Sequence, residues 1–224
     1  MKVMMMIFPV SVLCALIACT DAPVSVEQQR QTVLSKTDTV ITFNNEATGK
    51  LPVGFKGFDN CGQTVNWSVL DDNGNKVVKQ QSKNESSCYN VLMFQENAYQ
   101  NFTASVKIKA IAGDEDQGGG LIWRCQNENN YYLARYNPLE NNFRFCKVVN
   151  GDRKQLKSVD SNIKTGEWFT MTITMSGNKI VCTLNGNKLI EITDDTFAGA
   201  GTLGMWTKSD AQSYFDDLSV QVAK

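Results

Sequence analysis

No histidine occurs in the 224 residues. A chain without imidazole cannot run a Ser-His-Asp or Cys-His mechanism, and it offers no imidazole to a Zn site. Any chemistry therefore falls to carboxylates, Arg, Lys or Tyr. Neither sign of charge dominates: 22 Lys and Arg stand against 23 Asp and Glu. No basic run exceeds two residues, so the electrostatic footprint of a nucleic-acid partner is missing. Seven cysteines contain no Cys-x-x-Cys pair, which argues against a thiolate metal site. No stretch keeps a helical period for three turns; Asp194–Ala198 is the one short helical candidate.

What is present begins at the N-terminus. Lys2 is the only charge before an apolar run that ends at Ala18 and Cys19. A basic start, an apolar middle and a small-residue exit describe a secretory signal, and the run is short for a membrane span. Leu16-Ile17-Ala18-Cys19 resembles a bacterial lipobox. The resemblance implies that Cys19 is acylated, with palmitate among the chains, and becomes the new N-terminus, tethered without a spanning helix. Thr20 rather than Asp follows Cys19, which implies sorting to the outer membrane. The expected organisation is a signal at 1–19, a polar tether at 20–37 and one domain at 38–224. After cleavage about 205 residues remain, enough for a single large core.

From Thr39 onward short β-like runs recur between turn signals: Val40–Phe43, Val65–Leu70, Lys76–Gln80, Val91–Phe94, Ala104–Ala110, Gly120–Gln126, Tyr131–Tyr136, Phe143–Val149, Trp168–Met175, Lys179–Leu184, Lys188–Ile192, Thr202–Trp206 and Ser213–Val222. Asp72-Asn73-Gly74, Asn150-Gly151, Ser176-Gly177 and Asn185-Gly186 sit between several of them as hairpin signals. About thirteen strands in roughly 185 residues predict an all-β, two-sheet antiparallel sandwich, with a closed barrel the lesser option. Export permits disulfides, and Cys61 and Cys88, both in polar loop-like sequence, are the candidate bridge. Cys125 and Cys146 flank strand 131–136, so they stand ~9.6 Å apart, beyond the ~7 Å Cα limit for bridging. Cys182 alternates with Ile180 and Leu184 and reads as a small core hydrophobe. Trp67, Trp123 and Trp168 are expected in the core.

Gly120-Leu121-Ile122-Trp123-Arg124, Asn130-Tyr131-Tyr132, Arg135-Tyr136-Asn137-Pro138-Leu139-Glu140-Asn141-Asn142, Gly166-Glu167-Trp168, Leu184-Asn185-Gly186, Gly204-Met205-Trp206-Thr207-Lys208 and Tyr214-Phe215-Asp216-Asp217 form a recurring set. Together they resemble the concanavalin A-like lectin/glucanase superfamily, in particular the 3-keto-disaccharide hydrolase-like domains of secreted bacterial proteins. The resemblance implies a jelly roll of one convex and one concave sheet, with a ligand groove across the concave one. Some members hydrolyse glycans with a Glu-x-Asp-x-x-Glu strand; none exists here, and Asp114-Glu115-Asp116, before three glycines, reads as a loop. No catalytic pair of the kind glycoside hydrolysis needs is assigned. The resemblance also implies a structural Ca2+ on Asp216, completed by oxygens near Asn45 and Glu46.

Arg124, Arg135 and Arg144 fall on three successive strands. Alternation groups Arg135 with Tyr131 and Leu133, and Arg124 with Ile122 and Gln126. Arg124 and Arg135, with Asn137 and Glu140 at the strand exit, form a candidate donor-rich patch, because a guanidinium fork makes paired hydrogen bonds; Arg144 is the weaker member. Trp206, Lys208, Asp210 and Tyr214 form a second group in which an aromatic ring beside mixed charge suits a sugar. Arg135 is expected at the surface. The leading expectation is a membrane-anchored envelope protein that binds a glycan or glycoside on its concave sheet. The alternatives are a glycoside hydrolase on 3-keto-disaccharides or related sugars, and a structural envelope lipoprotein that binds a protein partner. Two carboxylates in one groove with Arg124, Arg135 and Lys208 would favour the enzyme. Cys19→Ser is expected to move the protein from the membrane fraction to the soluble fraction on fractionation; retention in the membrane contradicts the lipobox.

Overall fold

The computed structural model describes residues 33–34, 37–63 and 65–223. The signal, Cys19 and most of the tether lie outside the described residues. In chain order the strands are β1 (Val33–Leu34), β2 (Thr39–Ile41), β3 (Phe55–Asp59), β4 (Trp67–Asp72), β5 (Asn75–Gln80), β6 (Tyr89–Phe94), β7 (Asn97–Ala98), β8 (Phe102–Ala112), β9 (Gly119–Asn127), β10 (Asn130–Asn137), β11 (Asn142–Val149), β12 (Asp152–Asp160), β13 (Trp168–Ser176), β14 (Lys179–Leu184), β15 (Asn187–Thr193), β16 (Thr202–Lys208) and β17 (Gln212–Val222).

Two antiparallel sheets stack as a jelly-roll sandwich. One has seven strands in the order β12-β11-β10-β9-β16-β6-β3. The other runs β15-β14-β13-β8-β17-β5-β4, with β2 added along β17. Val33–Leu34, within the expected tether, pairs in parallel with Asn97–Ala98. Period-two patterning builds the core between the sheets: Ala104, Val106, Ile108 and Ala110 of β8 and Phe169, Met171, Ile173 and Met175 of β13 point inward and are buried. Leu121, Trp123, Tyr132, Ala134, Tyr136, Phe143 and Phe145 close the core from the seven-stranded side.

The predicted hairpins form where the turn chemistry demands. Asn73 and Gly74, Asn150 and Gly151, and Asn185 and Gly186 all take positive φ, the requirement of two-residue turns matched to strand twist. Three expectations fail. Phe55–Asp59 and Asp152–Asp160 were not anticipated as strands, and they are the two margins of the seven-stranded sheet. Asp194–Ala198 is turn and loop rather than helix. Trp168 is 37% exposed, not core; it lies at a strand start with Lys109 Nζ over its ring.

Cys61 and Cys88 are bonded, with Cα atoms 5.6 Å apart and a separation of 27 positions in sequence. Cys125, Cys146 and Cys182 are free and buried. The bridge ties the loop after β3 to the start of β6, next to Tyr89, whose amide donates to Asn60 Oδ1. Closing a loop of this length contributes about 3 to 4 kcal/mol in the chain-entropy picture. Reduction, or Cys61→Ser, is therefore expected to lower the urea midpoint by an amount worth about 3 kcal/mol. An unchanged midpoint in reductant contradicts a stabilising bridge.

Candidate functional site on the seven-stranded sheet

The seven-stranded sheet buries apolar residues on both faces. Its outer face carries a second cluster, Val91, Ile122, Cys125, Tyr131, Leu133, Cys146, Val148 and Trp206, with Phe58, Tyr89 and Met93 against it. Curvature accounts for that burial. β12 and β6 stand five places apart in the sheet, about 24 Å if it were flat. Arg153 Cζ of β12 nevertheless lies 5.5 Å from the Tyr89 ring and 5.8 Å from that of Trp206. The face is concave, and Arg153 roofs one end of the hollow.

Register sets what stands in it. Arg135 pairs with Arg144 on one side and Gly120 on the other, and Gly120 also faces Trp206. A Cβ at Gly120 would collide with the Ala134 carbonyl oxygen, so only glycine lets β9 approach β10 here. Arg135 is 2% exposed, which corrects the expectation of a surface residue. Its Nη2 pairs with Glu140, while Nε and Nη1 have no partner. Glu140 also reaches Arg144 Nη1 at 3.5 Å.

Asp116 joins the group from the loop before β9. Asn137 Nδ2 donates to its Oδ1 at 2.7 Å, and Lys208 Nζ to its Oδ2 at 3.2 Å. Burial pushes the Asp116 carboxyl above its ordinary value of 3.8, although Arg135 and Lys208 pull it down. Burial would raise Glu140 too, but the hydrogen bond and charge of Arg135 hold it below 4.5. The two therefore act oppositely on folding. Asp116 binds its proton more tightly when folded, so its contribution grows as pH falls from above its raised value towards 3.8. Glu140 stabilises above 4.5, and that stabilisation is lost as pH falls through its depressed value.

Of the predicted residues, Arg135, Asn137, Glu140, Trp206 and Lys208 share this face. Trp206 lies under Arg153 and is 1% exposed, so it is not an open stacking platform. Asp210 serves indirectly: its carboxylate accepts the amides of Asp114, Glu115 and Asp116 and so fixes the Asp116 loop. Tyr214 lies on β17 in the other sheet, near Lys109. Asp116, Arg153 and Tyr89 were missed. The glycine run after Asp116 was the available signal, since glycines mark close backbone approach.

Arg124 does not join them. Its φ is +46°, and the β9–β16 register slips between Thr202 and Gly204, so two β9 residues oppose one on β16, a bulge. Cys125 then takes Ile122's face, and Arg124 turns to the end of the sandwich. There Nη1 donates to Phe197 O at 2.6 Å, Nη2 to Gln100 O and Gly177 O, and Nε to Gln100 O. A cleft of about 280 Å3 opens beside it, but backbone carbonyls already occupy the guanidinium.

The implied Ca2+ set does not fit either. Asp216 takes the Asn75 amide at 2.9 Å and the Asp217 N–H, and the Glu46 carbonyl accepts Lys76 Nζ at 2.7 Å. Ca2+ needs six to eight oxygens, and the described residues contain no cluster of three His, Cys, Asp or Glu side chains suited to a metal.

Comparison with known proteins agrees with this architecture. The profile of the 3-keto-alpha-glucoside-1,2-lyase-like domain matches residues 39–221. The carbohydrate-binding module CBM66 from Bacillus subtilis superposes with TM-score 0.60 at 19% identity, over 74% of this chain and 93% of that one. A family 16 endo-glucanase from Bacteroides ovatus gives TM-score 0.61 at 8% identity, over 82% and 99%. A further glycosidic hydrolase gives 0.59 at 12%, over 85% and 98%. No curated protein sequence matches. At these identities the superpositions speak for the fold.

Arg124→Met takes the donor from one buried and two part-buried carbonyls and is expected to cost about 2 to 4 kcal/mol in a denaturant titration. The same titration should find Arg144→Ala, a partly exposed side chain, within about 1 kcal/mol of wild type. Equal costs for the two would contradict the structural role of Arg124.

Proposed function

The chain belongs to the 3-keto-alpha-glucoside-1,2-lyase-like family, and from that premise we propose an envelope protein whose concave face recognises a glycan or glycoside. The observation that carries this reading is Arg135: buried to 98%, with Nε and Nη1 unpartnered, facing the hollow between Asp116, Lys208 and Arg144. A buried donor without a partner costs roughly 1 to 3 kcal/mol, and a sugar hydroxyl or carboxylate would relieve it. Lys208 and Glu140 at the mouth are partly exposed and are placed to meet the outer hydroxyls. The lipobox adds a tether at Cys19, so the site would work at a membrane surface, with the outer membrane as the proposed address. Arg153 over Tyr89 and Trp206 limits how deep a ligand can go; a protein-docking role would instead use the roofed surface as it stands.

A glycan array run with the chain from residue 20 onward, which keeps the Val33–Leu34 strand, tests the reading. Lys208→Ala, a partly exposed change, is expected to lower retention of any hit while the melting curve stays in place. Unchanged retention contradicts the assignment of this face.

One observation favours a second, enzymatic reading. Asp116 is held by Asn137 and Lys208, and burial raises its carboxyl above the ordinary value, the direction that strengthens a carboxylate as a general base. On a 3-keto glycoside, elimination needs a base to take the C2 proton made acidic by the neighbouring ketone, and an acid to protonate the oxygen leaving C1. Asp116 is the candidate base and Lys208 the nearest proton donor. Incubation with a 3-keto-α-glucoside and mass spectrometry of the products decides this. Turnover that disappears in Asp116→Asn supports the lyase, and retention without product leaves a binding protein.

A further inference from the structure

We infer that the sugar taken by the concave face is acidic, bearing a carboxylate or sulfate; the inference rests on the carbohydrate reading above and narrows its ligand class. Arg135 and Arg144 are direct cross-strand partners, and like charges at such a position repel. A single carboxylate, Glu140, serves both. Lys208 is matched by Asp116. Arg153 pairs with no carboxylate among the described residues and lies instead over the rings of Tyr89 and Trp206. Four cations thus face Glu140 and Asp116 on this surface, with the exposed Asp152 beside Arg153 a third carboxylate whose charge reaches Tyr89. Farther out, Lys56 stands opposite Met93 and Asp160 opposite Asn142, at opposite margins of the sheet, and they offset one another.

The inventory of idle hydrogen-bonding atoms points the same way. Arg135 Nε and Nη1, Arg144 Nε and Arg153 Nη1 are buried donors without partners. Against these four, the face offers two idle buried atoms able to accept, Asn142 Oδ1 and, at its far end opposite Cys125, the Thr202 hydroxyl. A neutral hydroxyl both gives and takes hydrogen bonds, so a neutral sugar is best met by a mixed set. A surplus of charged donors calls for an acceptor-only group, and a guanidinium fork matches the two oxygens of a carboxylate or sulfate. The excess is local, because the chain as a whole is nearly neutral.

The probes are oligogalacturonate, a sulfated galactan oligosaccharide and a neutral galactan oligosaccharide, each titrated calorimetrically into the domain at low and high salt. At least one acidic probe is expected to bind about tenfold or more tightly than the neutral one, with salt weakening it. Arg144→Gln should remove about tenfold of that affinity and leave neutral binding unchanged. Carboxylate and sulfate arms identify which oxyanion is read. Equal or preferential binding of the neutral probe overturns the charge inference and leaves the carbohydrate reading standing. Failure of all three to bind, in a sample with the native melting curve, overturns both.

Discussion

The curvature of the seven-stranded sheet is the constraint on which the rest depends. A flat sheet would hold Arg153 far from Tyr89, whereas here the guanidinium lies 5.5 Å above the ring. Bending brings the margins together and converts an outer face into a hollow with its own apolar floor of Ile122, Leu133, Tyr131 and Cys146. Sheets twist because of backbone sterics, and glycines and bulges set where they bend. Gly120 lets β9 and β10 close on each other at the centre of the hollow, and the bulge at Arg124 bends the strand a turn further on.

Two arginines on adjacent strands, Arg124 and Arg135, consequently do different work. Arg135 keeps two idle donors on the concave face. Arg124 spends its donors on three backbone carbonyls from separate loops and so staples the end of the sandwich. Both are buried, and burial alone does not separate them. What separates them is whether the hydrogen-bonding capacity is spent, which is the quantity that decides between a structural and a recognition role. The same accounting places Asp210 behind the site, since it anchors the loop that presents Asp116, and it takes Asp216 out of consideration as a ready metal ligand.

Much of the architecture was legible in the sequence because a buried strand must alternate. Every interior strand of the seven-stranded sheet shows that pattern or an apolar run. The margins do not: Asp152–Asp160 has polar or charged residues at most positions, and Phe55–Asp59 carries a central glycine. Edge strands are commonly charged in this way, and here the margins supply Arg153 and Phe58 to the hollow. Arg124 was assigned to the wrong face because a bulge adds one residue and inverts the alternation beyond it, a change that period-two reasoning does not see. Pairing of Cys61 with Cys88 was accessible by geometry, since the other cysteines sit on strands too far apart or inside the core.

The most direct measurement follows the arginine side chains themselves. Nε–H signals of the domain, assigned by single Arg→Lys substitutions, can be recorded by 15N NMR before and after adding the tightest array hit. The account requires Arg135 to shift strongly, Arg144 and Arg153 to move with it, and Arg124 to stay put. A ligand that moved Arg124, or residues of the other sheet such as Trp168, while leaving Arg135 unchanged would contradict the assignment of the concave face as the site.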